Sequence, residues 1–293
     1  MSPRLRSPLA GEGVDLCYPL LLNTSCRRTL RPLFEDSFLY VLLFSVALLT
    51  VLLNLLIIIS ISHFCQLHTP TNLVLLSLAC SDLLISLLVM PLEAQHFISA
   101  CWFLGPSLCS VSCALGFVLT SASVGSILLI SLDLYVAICQ PLRYTSEVTM
   151  GWVQLVLGLC WFCSVLYTCS IMQDSLREPG RHSSCRGDCV MVFSMVSGVV
   201  DLLVTLVVPV SMVVVLYLRV FTAAQSQTRQ MRSPRVVAGT VARRICLGWL
   251  LNFNPCLNPL MYAFFYPWFR KSIRLIVTLR ILMPDSNHAT MLQ

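Results

Sequence analysis

Three aspartates stand inside long apolar runs: Asp82 in LACSDLL, Asp133 in SLDLY and Asp201 in VVDLLVTLVV. An ionisable side chain at bilayer depth costs at least about 2.5–3.5 kcal/mol on insertion scales, so each of the three needs a chemical reason. Asn54, Ser123, Asn254 and Asn258 lie in other apolar runs of the same chain. A carboxylate such as Asp82 among amide and hydroxyl oxygens, with water, suits a small hard cation such as sodium. A hydrogen-bond cluster between helices without an ion uses the same residues equally well. Asp201 suits a different task, because a buried carboxylate pairs with an organic ammonium when both are desolvated together. Its plain alternative is a structural aspartate bonded to a neighbouring helix. Phe193 and Phe253 are candidates to line the same pocket, although aromatics in membrane helices serve packing far more often than cation binding. No nucleophile-and-base pair or metal-ligand cluster with recognisable spacing stands out, so the chain does not read as an enzyme.

The elements that carry these residues must be membrane helices. Hydrophobic residues make up 57% of the chain and charged residues 11%, against roughly 25% charged in a soluble domain. The mean hydropathy is +0.83. Apolar blocks long enough to cross a bilayer, about 17–25 residues each, fall at 37–62, 72–92, 108–139, 151–170, 190–220 and 245–266. The expected fold is therefore an all-α membrane bundle with six spans. A tail over 1–36 precedes it, and an amphipathic helix and tail follow over 267–293. Met1–Pro19 is polar and lacks a continuous apolar core, so the first span is expected to direct its own insertion. WFRKSIRLIVTL, at Trp268–Leu279, mixes apolar and basic residues as a helix lying on lipid does.

The net charge of +6 alone would allow nucleic acid as a partner. Its carriers, among them Arg219, Arg229, Arg243, Arg270, Lys271 and Arg274, flank the spans instead, which reads as retention on the cytoplasmic side with the N-terminus outside. Six of 15 cysteines (Cys17, Cys26, Cys101, Cys109, Cys185 and Cys189) then lie on the oxidising side, where disulfides persist. Their connectivity is open among 15 pairings. Asn23 begins an NTS glycosylation sequon, useful only if the tail is outside.

Taken in order, the motifs resemble a rhodopsin-like G protein-coupled receptor: Asn54 in LLNLL, Asp82 in SLACSDLL, Trp102 in CWFLG, Cys109, Asp133–Tyr135, Trp161, Pro209 and NPLMY at Asn258–Tyr262. HTPTNLVLLSLACSD, SLDLYVAICQPLRY, SSCRGDCV and NPLMYAFFYPWFRKS narrow the resemblance to the trace amine-associated receptors, chiefly the olfactory branch. It implies a Cys109–Cys189 bridge and a second bridge from Cys185 to Cys17 or Cys26. It implies a sodium and water pocket of Asn54, Asp82, Ser123, Asn254 and Asn258, with Pro255 standing where such receptors carry a small polar residue. The aspartate that usually meets the ligand ammonium is replaced by Gly116, and the resemblance moves that role to Asp201 on the fifth helix. Activation and coupling fall to Asp133, Leu134, Tyr135, Tyr217, Pro259 and Tyr262. The implied partners are small amines, a heterotrimeric G protein, membrane lipid and a second receptor in a dimer.

Two departures from that pattern point toward impaired signalling. Leu134 occupies the place of an arginine that related receptors use for coupling, and leucine neither donates nor carries charge. The stretch between Phe221 and Cys246, TAAQSQTRQMRSPRVVAGTVARR, is too polar to be the sixth helix. With one crossing missing, the last span is expected to run backward, placing Arg270, Lys271 and Arg274 on the outer side, or to insert poorly. A truncated, non-signalling receptor product is the alternative. A six-span channel or transporter is a further one, against which stand the absence of a duplicated half and of a filter-like segment.

Overall fold

A computed structural model describes residues 16–21, 24–28, 31–181, 183–191, 193–229 and 267–278. Among these, five helices are long and apolar enough to cross a membrane: Leu33–His63, Pro70–Ser99, Gly105–Cys139, Met150–Ile171 and Met195–Val220. They are called the first to fifth helices below. The chain is thus a multi-pass, all-helical membrane protein. The expected last span, with Phe253, Asn254, Asn258, Pro259 and Tyr262, lies outside the described residues, as does Asn23.

Local signals explain the helix ends. Thr69 accepts from the Asn72 N–H while Pro70 takes the first helical position, where a missing donor costs nothing. Thr149 caps the fourth helix through the Trp152 N–H. Ser194 caps the fifth through the Ser197 N–H, so that helix begins at Met195 rather than at 190. The second helix extends to Ser99, seven residues beyond the expected end at 92, and stops at Ala100, which takes a left-handed φ of 53°. Wide turns at Ile85–Val89 and Leu203–Val207 precede Pro91 and Pro209. An extra residue per turn lets the ladder pass a proline that lacks its N–H.

The bundle turns its polarity inward. Leu42, Leu52, Phe162, Leu202 and Val215 are exposed, while Thr50, Asn54, Ser81, Asp82, Ser123 and Ser126 are buried. This is expected in lipid, which drives no apolar burial between helices and favours small, hydrogen-bonding residues at the seams. Gly125 shows how close one seam is: a Cβ there would lie 2.2 Å from the Cys160 Sγ. The third and fourth helices therefore meet where the third has no side chain.

Trp268 and Phe269, in the helix Pro267–Val277, pack with Ile57, Ile61, Phe64 and Leu67 at the C-terminal end of the first helix. Ser272 is also buried, while Arg270, Lys271 and Arg274 face outward. The third and fifth helices run the same way, since Phe117 meets Phe193 and Leu128 and Leu132 face Ser211–Leu216. Arg229 consequently leaves the bundle at the end where Asp133 and the terminal helix lie. The expectation that the basic flank would be carried to the opposite side is corrected. The buried Trp268–Phe269 pair ties it to the first helix at the Asp133 end.

Candidate functional site

Asp82 is fully buried. Ser123, on the third helix, donates to its Oδ1 at 3.1 Å, and the Ser86 hydroxyl donates to its backbone carbonyl. Asn54 is equally buried and gives its amide N–H to the Thr50 carbonyl one turn back, at 2.9 Å. The structure thus brings Asp82 and Ser123 together, with Asn54 on the neighbouring first helix. Asp82 and Ser123 offer hard oxygen donors, which fit a small hard cation.

Nearer the disulfide end, Gly116 faces the second helix: a Cβ there would meet the Val89 Cγ1 at 3.5 Å, an ordinary contact. Asp201 lies on a different seam. The Tyr167 hydroxyl of the fourth helix donates to its Oδ1 at 2.9 Å, and Thr205 donates to its backbone carbonyl at 2.6 Å. Phe193 stacks edge-on against Phe117, with ring centroids 5.6 Å apart. This joins the start of the fifth helix to the third, one residue after Gly116.

At the other end, the Asp133 carboxylate is held by two hydroxyls. Thr71 donates to Oδ2 at 2.8 Å, Tyr144 donates to Oδ1 at 3.0 Å, and the two hydroxyls lie 3.0 Å apart. Tyr144 comes from Pro141–Glu147, a short helix after the third span. Burial, reinforced by the Asp133 charge and opposed by the Thr71 hydrogen bond, pushes the Tyr144 phenol above its usual range, so it stays a donor. Leu134 and Tyr135 are half-buried beside this group, and Tyr217 is exposed on the fifth helix.

Three disulfides cover the opposite end. Cys109–Cys189 ties the third helix to the segment before the fifth, with Cα atoms 5.7 Å apart. Cys185 pairs with Cys26, and Cys17 pairs with Cys101. Backbone bonds set the tail in place: Arg186 N–H to the Thr24 carbonyl, Cys26 N–H to the Arg186 carbonyl, and Trp102 N–H to the Gly187 carbonyl. Gly187 has a φ of +102° and a Cβ there would lie 3.1 Å from the Cys17 Cβ, so glycine suits it on both counts. Sequence reasoning left the partner of Cys185 open and did not pair Cys101. Parity was the missed signal, since two bridges leave two of six outer cysteines over.

Comparison with known proteins places this arrangement. The profile of the 7 transmembrane receptor (rhodopsin family) matches residues 53–247. Trace amine-associated receptor 13c of Danio rerio is 31% identical, over 93% of this chain and 95% of its own. Trace amine-associated receptor 4 of Rattus norvegicus is 29% identical over 92% and 93%, and trace amine-associated receptor 1 of Mus musculus 29% over 94% and 99%. The chain belongs to the rhodopsin family of seven-transmembrane receptors and, within it, to the trace amine-associated receptors. These three alignments run over 324, 323 and 329 positions, more than the 293 residues of this chain, so the relatives carry residues without a counterpart here.

Proposed function

We propose that this chain is a receptor for small organic amines, lying in the plasma membrane with its N-terminus and disulfides outside, and that Asp201 is the counter-ion for the ligand ammonium. The observation that carries this reading is the pair Gly116 and Asp201: the third helix offers no side chain where amine receptors of this class carry a carboxylate, and the fifth helix offers one. Tyr167 fixes one oxygen of that carboxylate. The other remains for a ligand donor, and a charge-assisted N–H···O bond in a low-dielectric site is among the stronger polar contacts. Asp82, Ser123 and Asn54 would hold a sodium ion with water, neutralising the Asp82 charge in the bundle interior. A heterotrimeric G protein is the partner at the Asp133 end, with coupling weakened by Leu134.

The test is binding of 2-phenylethylamine to the purified full chain in lipid nanodiscs. Asp201→Asn keeps the shape and removes the charge, and breaking a desolvated ion pair costs about 3–5 kcal/mol. Binding should fall by more than two orders of magnitude. Unchanged affinity in Asp201→Asn and Asp201→Ala would assign the ammonium elsewhere.

A second reading, a receptor product that binds but does not signal, is favoured by Leu134 and by the polar stretch between Phe221 and Cys246, which leaves no apolar block for a sixth helix.

A further inference from the structure

Glu93 is an acidic residue within the second membrane helix, and the sites described above do not use it. We infer that Glu93 is a cation-binding carboxylate at the seam of the second and third helices, taking an organic ammonium where Gly116 leaves the third helix bare. This rests on the amine-receptor reading and adds a second anionic contact to it.

Register along the seam carries the argument. Val89 and Glu93 are four residues apart, one turn on the same face of the second helix, and Cys113 and Gly116 are three apart on the third. Val89 is the side chain a Cβ at Gly116 would touch. One turn nearer the disulfide end, the Glu93 carboxylate lies within electrostatic reach of Cys113. Cys113 in turn has its sulfur within 4.8 Å of those of Cys109 and Cys189. Glu93 therefore stands between the level of the Cys109–Cys189 bridge and the level of Gly116, on the side Gly116 faces.

Two further observations bear on how this carboxylate is partnered among the described residues. Among the described residues, the Glu93 carboxylate makes no hydrogen bond, and the ion pair found there is Arg181–Glu178. The Arg31 guanidinium lies over the Phe97 ring, 5.5 Å from the centroid and one turn beyond Glu93. Part of the Glu93 side chain is exposed. An acid kept in a membrane helix is by default a functional group. Its neighbours on the seam are a valine, a thiol and a glycine, which cannot supply the several oxygen ligands an inorganic cation demands. An organic ammonium, whose apolar body suits that lining, is the matching ligand chemistry.

The experiment labels the full chain in nanodiscs with a hydrophobic carbodiimide and maps adducts at Glu93 and Asp201 by mass spectrometry. Benzyltrimethylammonium is the probe, because it carries the charge but cannot itself form an amide, and benzyl alcohol is the neutral control. The expected result is labelling of Glu93, loss of most of its adduct with benzyltrimethylammonium, and no loss with benzyl alcohol. Labelling of Glu93 that the cation leaves unchanged overturns the inference, as does a Glu93 that the reagent never reaches. Probe affinity should also fall in Glu93→Gln and recover in Glu93→Gln/Gly116→Asp, since the 3.5 Å spacing to Val89 admits the new Cβ. Wild-type affinity in Glu93→Gln also overturns it. The Asp201 adduct is read separately in the same spectra, so failure at Glu93 alone leaves the Asp201 reading standing.

Discussion

Tyr167 and Asp201 form the polar contact between the fourth and fifth helices, 2.9 Å from oxygen to oxygen. A hydrogen bond to a charged group contributes about 1.5–3 kcal/mol. Tyr167→Phe should therefore lower the melting temperature of the ligand-free protein and weaken amine binding less than Asp201→Asn does. A thermal-shift assay in nanodiscs measures the first effect, and an unchanged midpoint would show that Tyr167 merely fills space. At the other end, Tyr144→Phe removes one of two hydroxyls on Asp133. The short helix Pro141–Glu147 should then exchange its amide hydrogens faster, which hydrogen-exchange mass spectrometry reads directly. Asp82, Asp133 and Asp201 were legible in the sequence because an acid in an apolar run is conspicuous. Thr71, Tyr144 and Tyr167 were not, since a hydroxyl becomes informative only when it is known which helix faces which. Glu93 was hidden differently. The apolar run fades into Glu93-Ala94-Gln95-His96, so the expected span ends at 92 and leaves Glu93 outside it, whereas the helix continues to Ser99.

The five described spans agree closely with the apolar blocks, because lipid demands that a crossing helix satisfy its own backbone and be apolar throughout. Their ends were less legible. Caps such as Ser194 depend on side-chain geometry that hydropathy averages away. The third–fourth helix seam supplies the sharpest test at this scale. Gly125→Ala puts a methyl 2.2 Å from the Cys160 sulfur, and overpacking of this kind typically costs about 1–3 kcal/mol. The loss should be relieved in the double variant Gly125→Ala/Cys160→Ala, because the two positions are in contact and their effects cannot add. Denaturation midpoints for the two singles and the double decide it; equal losses in Gly125→Ala with and without Cys160 would show that the seam relaxes by backbone movement.

For the whole molecule, the terminal helix and the exit of the fifth helix lie at one end, so Arg219, Arg270, Lys271 and Arg274 share that end. The non-signalling reading then rests on Leu134 and the polar stretch before Cys246. We expect no amine-dependent cAMP from the chain as it stands. We also expect that grafting an apolar sixth helix raises surface labelling, and that signalling returns only when Leu134→Arg is added, because leucine cannot supply the charged contact. Amine-dependent cAMP from the unmodified chain would refute this.

The three disulfides have a further consequence as a circuit. Residues 17–26, 101–109 and 185–189 are short peptide segments, and the bridges Cys17–Cys101, Cys109–Cys189 and Cys185–Cys26 join them end to end into one closed covalent ring. A single proteolytic nick in any of the three segments opens the ring without releasing a fragment. Such damage is silent on a non-reducing gel and shows only after reduction, so the outer face can be cut once and still hold its parts in register.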